Sequence, residues 1–150
     1  MPAVQTVYNE KIDAARVGQI ANMEPVTLIS RNVEDVAAIG FGKPVMQGTL
    51  DDGCKLFAGA STEVLGITVR ERSRTPENPD AFARYESARI MKKGVIWVVA
   101  SVAVVAGDPV FVIPATAAFA KTNASSAIQI ANARWDSSAG IGALAKVRLG

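Results

Sequence analysis

The run from Gly94 to Val112, GVIWVVASVAVVAGDPVFV, limits what this chain can fold into more than any other stretch. From Gly94 to Gly107 it carries no charge, and both of its alternating faces are apolar. Val95, Trp97, Val99, Ala103 and Val105 fall on one face, and Ile96, Val98, Ala100, Val102 and Val104 on the other. Branched and aromatic side chains fit a pleated backbone better than a helix. A strand that is apolar on both sides needs cover on both sides, from a second sheet, barrel closure or another subunit. Ser101 and Gly107-Asp108-Pro109 punctuate the run, and proline has no place in a central ladder. The pattern predicts strands at Val95–Val99 and Val102–Ala106, a turn, and a third strand at Val110–Ile113. A membrane span is a poor reading, because Asp108 and Pro109 break the stretch before an uncharged run of about 18 residues is reached.

A chain of 150 residues is long enough for one domain with a real core. Its apolar fraction of 49% is high and its charged fraction of 20% low, a balance that favours burying further surface against copies or a partner. The net charge of +2 is too small to argue for a nucleic-acid binder. Histidine is absent, which removes His-based proton transfer, catalytic triads and most zinc or haem ligation. The single cysteine, Cys54, excludes an intrachain disulfide and a CxxC pair, and reads as a small buried hydrophobe. The opening MPAVQTVYNEK has no basic region followed by an apolar one, so no secretory signal is read and synthesis in a cytoplasm is expected.

Residues 1–25 read as an extended arm; a short helix over Asn9–Asn22 competes, with Gly18 costing it about 1 kcal/mol. Residues 26–150 read as a single β domain. Strands are expected at Pro25–Ser30, within Val36–Val45 (bent at Gly40 and Gly42), and at Leu56–Ala58, Val64–Val69 and Ala88–Met91. Further strands are expected at Ala127–Trp135 and Leu144–Leu149. Asp52-Gly53 marks a tight hairpin turn and Lys92-Lys93-Gly94 a basic one. The polar, proline-bearing segment at 71–86 reads as an exposed loop, with one helical turn near Asp80–Tyr85. Short strands, frequent turns and little helix add up to a mainly β, compact β-barrel or sandwich-like (tulip-like) domain. An internal echo supports two related β units: Gly42-Lys43-Pro44-Val45 leads to a strand ending Val69-Arg70, and Gly107-Asp108-Pro109-Val110 to one ending Val147-Arg148.

No constellation supports catalysis, and neither a metal nor a cofactor is expected. Asp51-Asp52-Gly53 lacks the further oxygen ligands and closing Glu of a calcium loop. Lys92-Lys93 resembles the lysine hairpin of biotinyl and lipoyl carrier domains, but the two Gly-x-Pro-Val turns are not placed symmetrically around it. Gly140 and Gly142 lack the helix start and Lys-Ser/Thr pair of a phosphate cradle. Arg70, Arg72, Arg74, Arg84 and Arg89 are interleaved with Glu71, Glu77, Asp80 and Glu86, so they form a mixed surface rather than a cationic groove. Trp97 and Trp135 read as core or interface anchors.

Several pieces, in order along the chain, resemble those of one family. Ile39-Gly40-Phe41-Gly42 running to Val45, Leu65-Gly66-Ile67 to Arg70, Gly94 to Val98, and Val104 to Val110 are four of them. The fifth is Asn132-Ala133-Arg134-Trp135-Asp136-Ser137-Ser138-Ala139 with Leu144-Ala145-Lys146-Val147-Arg148-Leu149. Together they resemble the structural cement, or head-decoration, proteins of tailed bacteriophages from about Gly18 onward. The resemblance implies a non-enzymatic homotrimer on the exterior of the virion capsid. It would bind the major capsid protein at the three-fold positions of an expanded head, without direct contact to nucleic acid or membrane. On that reading Trp97, Val99, Phe111 and Trp135 are candidates for the subunit interface, and Tyr8, Lys11, Arg16, Arg72, Arg74 and Arg84 for capsid contact. The alternative is a monomeric small-molecule or carbohydrate-binding β-barrel module.

Overall fold

Branched and aromatic residues interrupted every few positions by glycine, proline or aspartate give mostly short strands. The structure is a computed structural model and describes residues 15–59, 63–71, 77 and 79–150. Its first strands are β1 (Thr27–Val33), β2 (Ile39–Gly40), β3 (Pro44–Gln47), β4 (Gly53–Leu56), β5 (Gly66–Thr68) and β6 (Ala81–Phe82). Then follow β7 (Ser87–Val99), β8 (Pro109–Ile113), β9 (Ala118–Ala120), β10 (Ile128–Trp135) and β11 (Leu144–Leu149). Among the described residues the one helical element is a 3-10 turn at Ala124–Ser126.

The strands close two small rings that share β7. In the first, β1 pairs with β4 in parallel, and β4–β3, β3–β5, β5–β7 and β7–β1 are antiparallel. In the second, β7–β11, β11–β10, β10–β8 and β8–β9 are antiparallel. Strand β9 returns to the end of β7 through a parallel bridge between Ala100 and Phe119, where the Ser101 N–H donates to the Phe119 carbonyl at 3.0 Å. Each ring therefore has one parallel contact and four antiparallel ones in the same order. Half of the sequence echo follows this repeat: Pro44 opens β3 and Pro109 opens β8, which hold equivalent places. The other half does not, because Val69-Arg70 follows β5 while Val147-Arg148 lie in β11, the counterpart of β7.

Both rings are filled by side chains, as small barrels must be. The first encloses Val33, Phe41, Val45, Cys54, Phe82 and Ile90, with Phe41 and Phe82 edge to face at 5.2 Å between centroids. The second encloses Ile96, Val98, Val110, Val112, Trp135 and Val147. Trp135 donates its indole N–H to the Ala120 carbonyl at 3.2 Å, tying β10 to β9 across the ring. The outer face of the first barrel supplies Ile67, Val69 and Met91 to the second core, so the barrels share one apolar body. That accounts for the two-sided apolarity of β7. At Ile90 and Met91 its opposite faces enter different cores, and Val95, Ile96 and Val98 are all fully buried within the subunit. Of the three covers open to these faces, barrel closure supplies it for most of the strand: the chain covers them itself.

Three local expectations change as well. Lys92-Lys93-Gly94 is not a turn but the middle of β7, with Lys93 opposite Thr27 and Gly94 opposite Leu149. Gly94 has φ 132°, and a Cβ there would lie 2.6 Å from the Val26 Cγ1, so the strand passes from one barrel to the next at a residue only glycine fits. Val102–Ala106 is not a strand, because the Ser101 N–H bonds to Phe119 and Val104 alone bridges, to Ala139. Asp80–Tyr85 holds the short strand β6 instead of a helical turn, since extended backbone at Ala81–Phe82 pairs with Ile39–Gly40 and sends Phe82 into the first core.

The chain before β1 also joins the body. The Gly18 N–H donates to the Trp97 carbonyl (2.7 Å), the Trp97 N–H to the Gln19 carbonyl (3.0 Å) and the Ala21 N–H to the Val95 carbonyl (2.9 Å). Glu24 forms a forked ion pair with Arg148 of β11, which also reaches Asp136 at 3.5 Å. Hydrogen bonding to Arg148 lowers the Glu24 pKa, and the Arg148 pKa is raised in turn by Glu24 and Asp136.

Candidate interaction surfaces

Strand alternation decides which residues can face a partner, and barrel closure decides which cannot. Trp97 and Val99 stand two residues apart on one outward face of β7, opposite Lys146 and Leu144 of β11. Trp97 is half-buried under the Lys146 ammonium, 5.8 Å from its ring centre, and Val99 is 41% exposed. Phe111 is half-buried on β8, opposite Gln129 and Ala120, with β11 and β10 between it and β7 in the sheet. Trp135 is corrected as an interface candidate: it is 1% exposed, fixed by its bond to Ala120 and edge-on to Phe119. Its aromatic bulk closes the second barrel and leaves no surface for a neighbour.

Among the charged candidates, Arg84 is exposed, with its guanidinium 4.8 Å from the centre of the Tyr85 ring. Arg16 is exposed at a cleft of about 660 Å³ shared with Gln19, Arg70, Glu71, Asp80 and Arg89. Two pairs of the cleft's charges answer one another. Arg70 pairs with Asp80 at 2.8 Å and donates to the Val17 carbonyl, and Arg89 lies 3.9 Å from Glu71. Tyr8, Lys11, Arg72 and Arg74 lie outside the described residues.

Most of the exposed large apolar residues gather at the two ends of β7, whereas Met23 and Val26 lie in the segment leading to β1. Near Ser87, Val36 (81% exposed), Leu50 (64%) and Tyr85 (77%) surround the end of the first barrel. They are held there by local bonds: the Tyr85 N–H donates to the Val33 carbonyl, and the Leu50 N–H donates to the Glu34 carboxylate. Glu34 also accepts from the Thr49 N–H at 2.9 Å and the Thr49 hydroxyl at 2.6 Å, with the Lys55 ammonium at 3.6 Å. These donors, the Thr49 hydroxyl first, lower its pKa to about 2. Near Val99, Val105 (57% exposed) and Ile141 (79%) flank the end of the second barrel. For Leu50 and Ile141 the sequence signal was a lone apolar residue inside a turn, as in Gly140-Ile141-Gly142.

The described residues contain no grouping of His, Cys, Asp and Glu suited to a metal ion. Cys54 is fully buried, and burial, then Asp35 and Glu34, push its pKa up to about 11, so its thiol is no nucleophile. No helix of the described residues is long and apolar enough to cross a membrane.

The comparisons point one way. The chain is similar in structure to a chain from the capsid of Myoviridae phage XM1, at TM-score 0.75 and 14% identity, covering 95% of this chain and 94% of that one. It is also similar to the N base of the head fibre gp8.5 of bacteriophage phi29, at TM-score 0.53 and 11% identity, covering 84% of this chain and 95% of the other. At such identities these likenesses concern the fold. No curated protein sequence matches the chain. The model of the family described as structural cement protein (E217 gp24/Pam3 gp6) matches residues 4–150, nearly the whole sequence, and the chain therefore belongs to the phage structural cement protein family, whose place is the virion capsid.

Proposed function

We propose that this protein decorates the outer surface of an expanded phage head as a homotrimer, binding neighbouring copies of the major capsid protein and stabilising the shell. The observation that carries the reading is the family match over residues 4–150. The architecture agrees with it: a double barrel with filled interiors and apolar residues exposed at both ends. Both cores are occupied, which leaves a monomeric ligand-binding barrel no room for a ligand inside either ring.

The mechanism is linkage. A protein that binds the expanded lattice better than the unexpanded one shifts the shell toward expansion and resists its collapse or rupture. Three linked copies make attachment multivalent, so contacts that are weak singly hold firmly together. The capsid-facing parts in this reading are the N-terminal residues, with Tyr8, Lys11 and Arg16, and the 71–86 region, with Arg72, Arg74 and Arg84. No bond cleavage or proton transfer is required of the protein.

Co-sedimentation tests the reading. Purified protein should pellet with undecorated expanded heads and remain in solution with unexpanded ones; equal behaviour with both would contradict it. Deleting residues 1–14 should leave a folded trimer that co-sediments less. Gly18, Gln19 and Ala21 must be kept, because they bond to β7.

A further inference from the structure

We propose that the end of the first barrel, with Val36, Leu50 and Tyr85 as its anchors, docks on the head, and that it fits a protein surface whose apolar hollow is edged by lysine or arginine. The inference rests on the capsid-binding reading above and adds the docking surface and the chemistry of its partner.

Tyr85 carries the argument furthest. Its φ is 68°, in the left-handed region that a bulky aromatic residue seldom adopts and that glycine or asparagine enters at little cost. The turn around it is nevertheless fixed. The Tyr85 N–H donates to the Val33 carbonyl at 2.8 Å, the Glu86 N–H to the Ala83 carbonyl at 3.1 Å, and the Ala83 N–H to the Glu86 carboxylate at 2.8 Å. The strain gains no burial in return, because the Tyr85 side chain stands in solvent with the Arg84 guanidinium over its ring. Strain that serves no packing within the subunit points to a use outside it. Leu50 is presented in the same way. Its N–H is held by the Glu34 carboxylate, and its carbonyl accepts from the Gln47 amide at 2.9 Å and the Gly53 N–H at 3.1 Å, while its side chain is exposed. Side chains fixed before binding lose little freedom on docking, as anchor residues should.

Charge selects the partner. Residues 31–36, 47–55 and 83–87 hold five carboxylates (Glu34, Asp35, Asp51, Asp52 and Glu86) against three cations (Arg31, Lys55 and Arg84), in a chain whose net charge is +2. Most of these are spent locally. Lys55 answers Glu34, Asp35 and Glu86 accept backbone N–H groups from Leu56 and Ala83, and Arg31 donates to the Ser30 carbonyl. Asp51 and Asp52 are exposed and pair with no cation among the described residues, although Asp52 accepts from the Asn32 amide at 3.1 Å. Uncompensated carboxylates beside an apolar centre repel phosphate, which disfavours nucleic acid and anionic lipid. A second copy presenting the same end would set Asp51 and Asp52 against their own kind. A protein surface with a basic rim complements both the apolar centre and the acids.

Co-sedimentation of the full chain with undecorated expanded heads tests this, with melting followed by circular dichroism and molar mass by light scattering. Tyr85→Asn relieves the backbone and removes the ring. It should melt no lower than wild type, keep the wild-type mass, and bind the heads about tenfold or more weakly. Asp51→Lys should weaken binding about threefold or more at low salt and less at high salt. Two variants that pellet like wild type overturn the surface while leaving capsid binding standing. A Tyr85→Asn mass below that of wild type would put a second copy on this surface and overturn it as well. A wild type that stays in solution with expanded heads overturns the capsid-binding reading and the surface with it. Should Tyr85→Asn not fold, Leu50→Ser decides, since the bonds that hold residue 50 are made by its backbone. Weaker binding at unchanged mass supports the assignment, and wild-type binding overturns it.

Discussion

The first barrel ends in a hairpin loop packed around a carboxylate, whereas the second ends in loops without a single charge between residues 137 and 145. The two barrels have the same ring of pairings, yet their ends are finished by different chemistry. In the first, Glu34 satisfies donors at Thr49 and Leu50, and glycines at 48 and 53 leave room for its carboxylate. In the second, backbone bonds among Ala100, Ala143, Val104 and Ala139 join the loops, and the Asp108 carboxylate accepts only the Val105 N–H of its own turn, at 2.9 Å. A repeated fold thus supplies two separate ends, about 40 Å apart along the 13 residues of β7, that can be specialised independently.

The largest expected effect asks whether the barrels are one cooperative unit. Trp135→Ala in the second and Phe82→Ala in the first should each cost about 3–5 kcal/mol. Because Ile67, Val69 and Met91 reach from the first barrel into the second core, urea should unfold either variant in one transition. Two separated transitions would show that the barrels fold apart.

A smaller effect is expected at the carboxylate. Alanine at Gly53 would drive its Cβ into Glu34, so Gly53→Ala should cost about 1–3 kcal/mol, measured by chemical denaturation. Alanine at Gly140, with nothing within 4 Å of its would-be Cβ, should shift the midpoint little. Equal losses at both positions would remove the contrast between the two ends.

The acid response sharpens the same contrast. The Glu34 pKa is lowered in the fold from 4.5 to about 2, so its contribution to stability is fully present above about pH 4.5 and is lost as pH falls toward 2. Glu34→Gln should therefore flatten the decline of stability between those values, as read from melting temperatures over that range. An unchanged acid profile would mean that the carboxylate does not act as described.

Much of the β architecture was legible because pattern carries it: β8, β10 and β11 fall nearly where alternation and turn residues place them. The long strand was misread at Lys92-Lys93-Gly94, since charged residues beside a glycine look like a turn unless both neighbouring strands are known. Phe82 was hidden for the same reason, as its local sequence is that of a loop and only pairing with Ile39 makes it core. Trp135 was legible as an anchor but not as an interior one, because burial against Phe119 and Ala120 depends on how the ring closes. The exposed ends were the least legible: Leu50 or Ile141 in a turn looks incidental until the fold gathers it with others.

Heat-induced rupture of expanded, DNA-filled heads tests the central claim most directly. Heads carrying this protein should release their DNA at a clearly higher temperature than heads stripped of it, with the difference restored when purified protein is added back. Release at the same temperature, with the protein shown to be bound, would contradict the account.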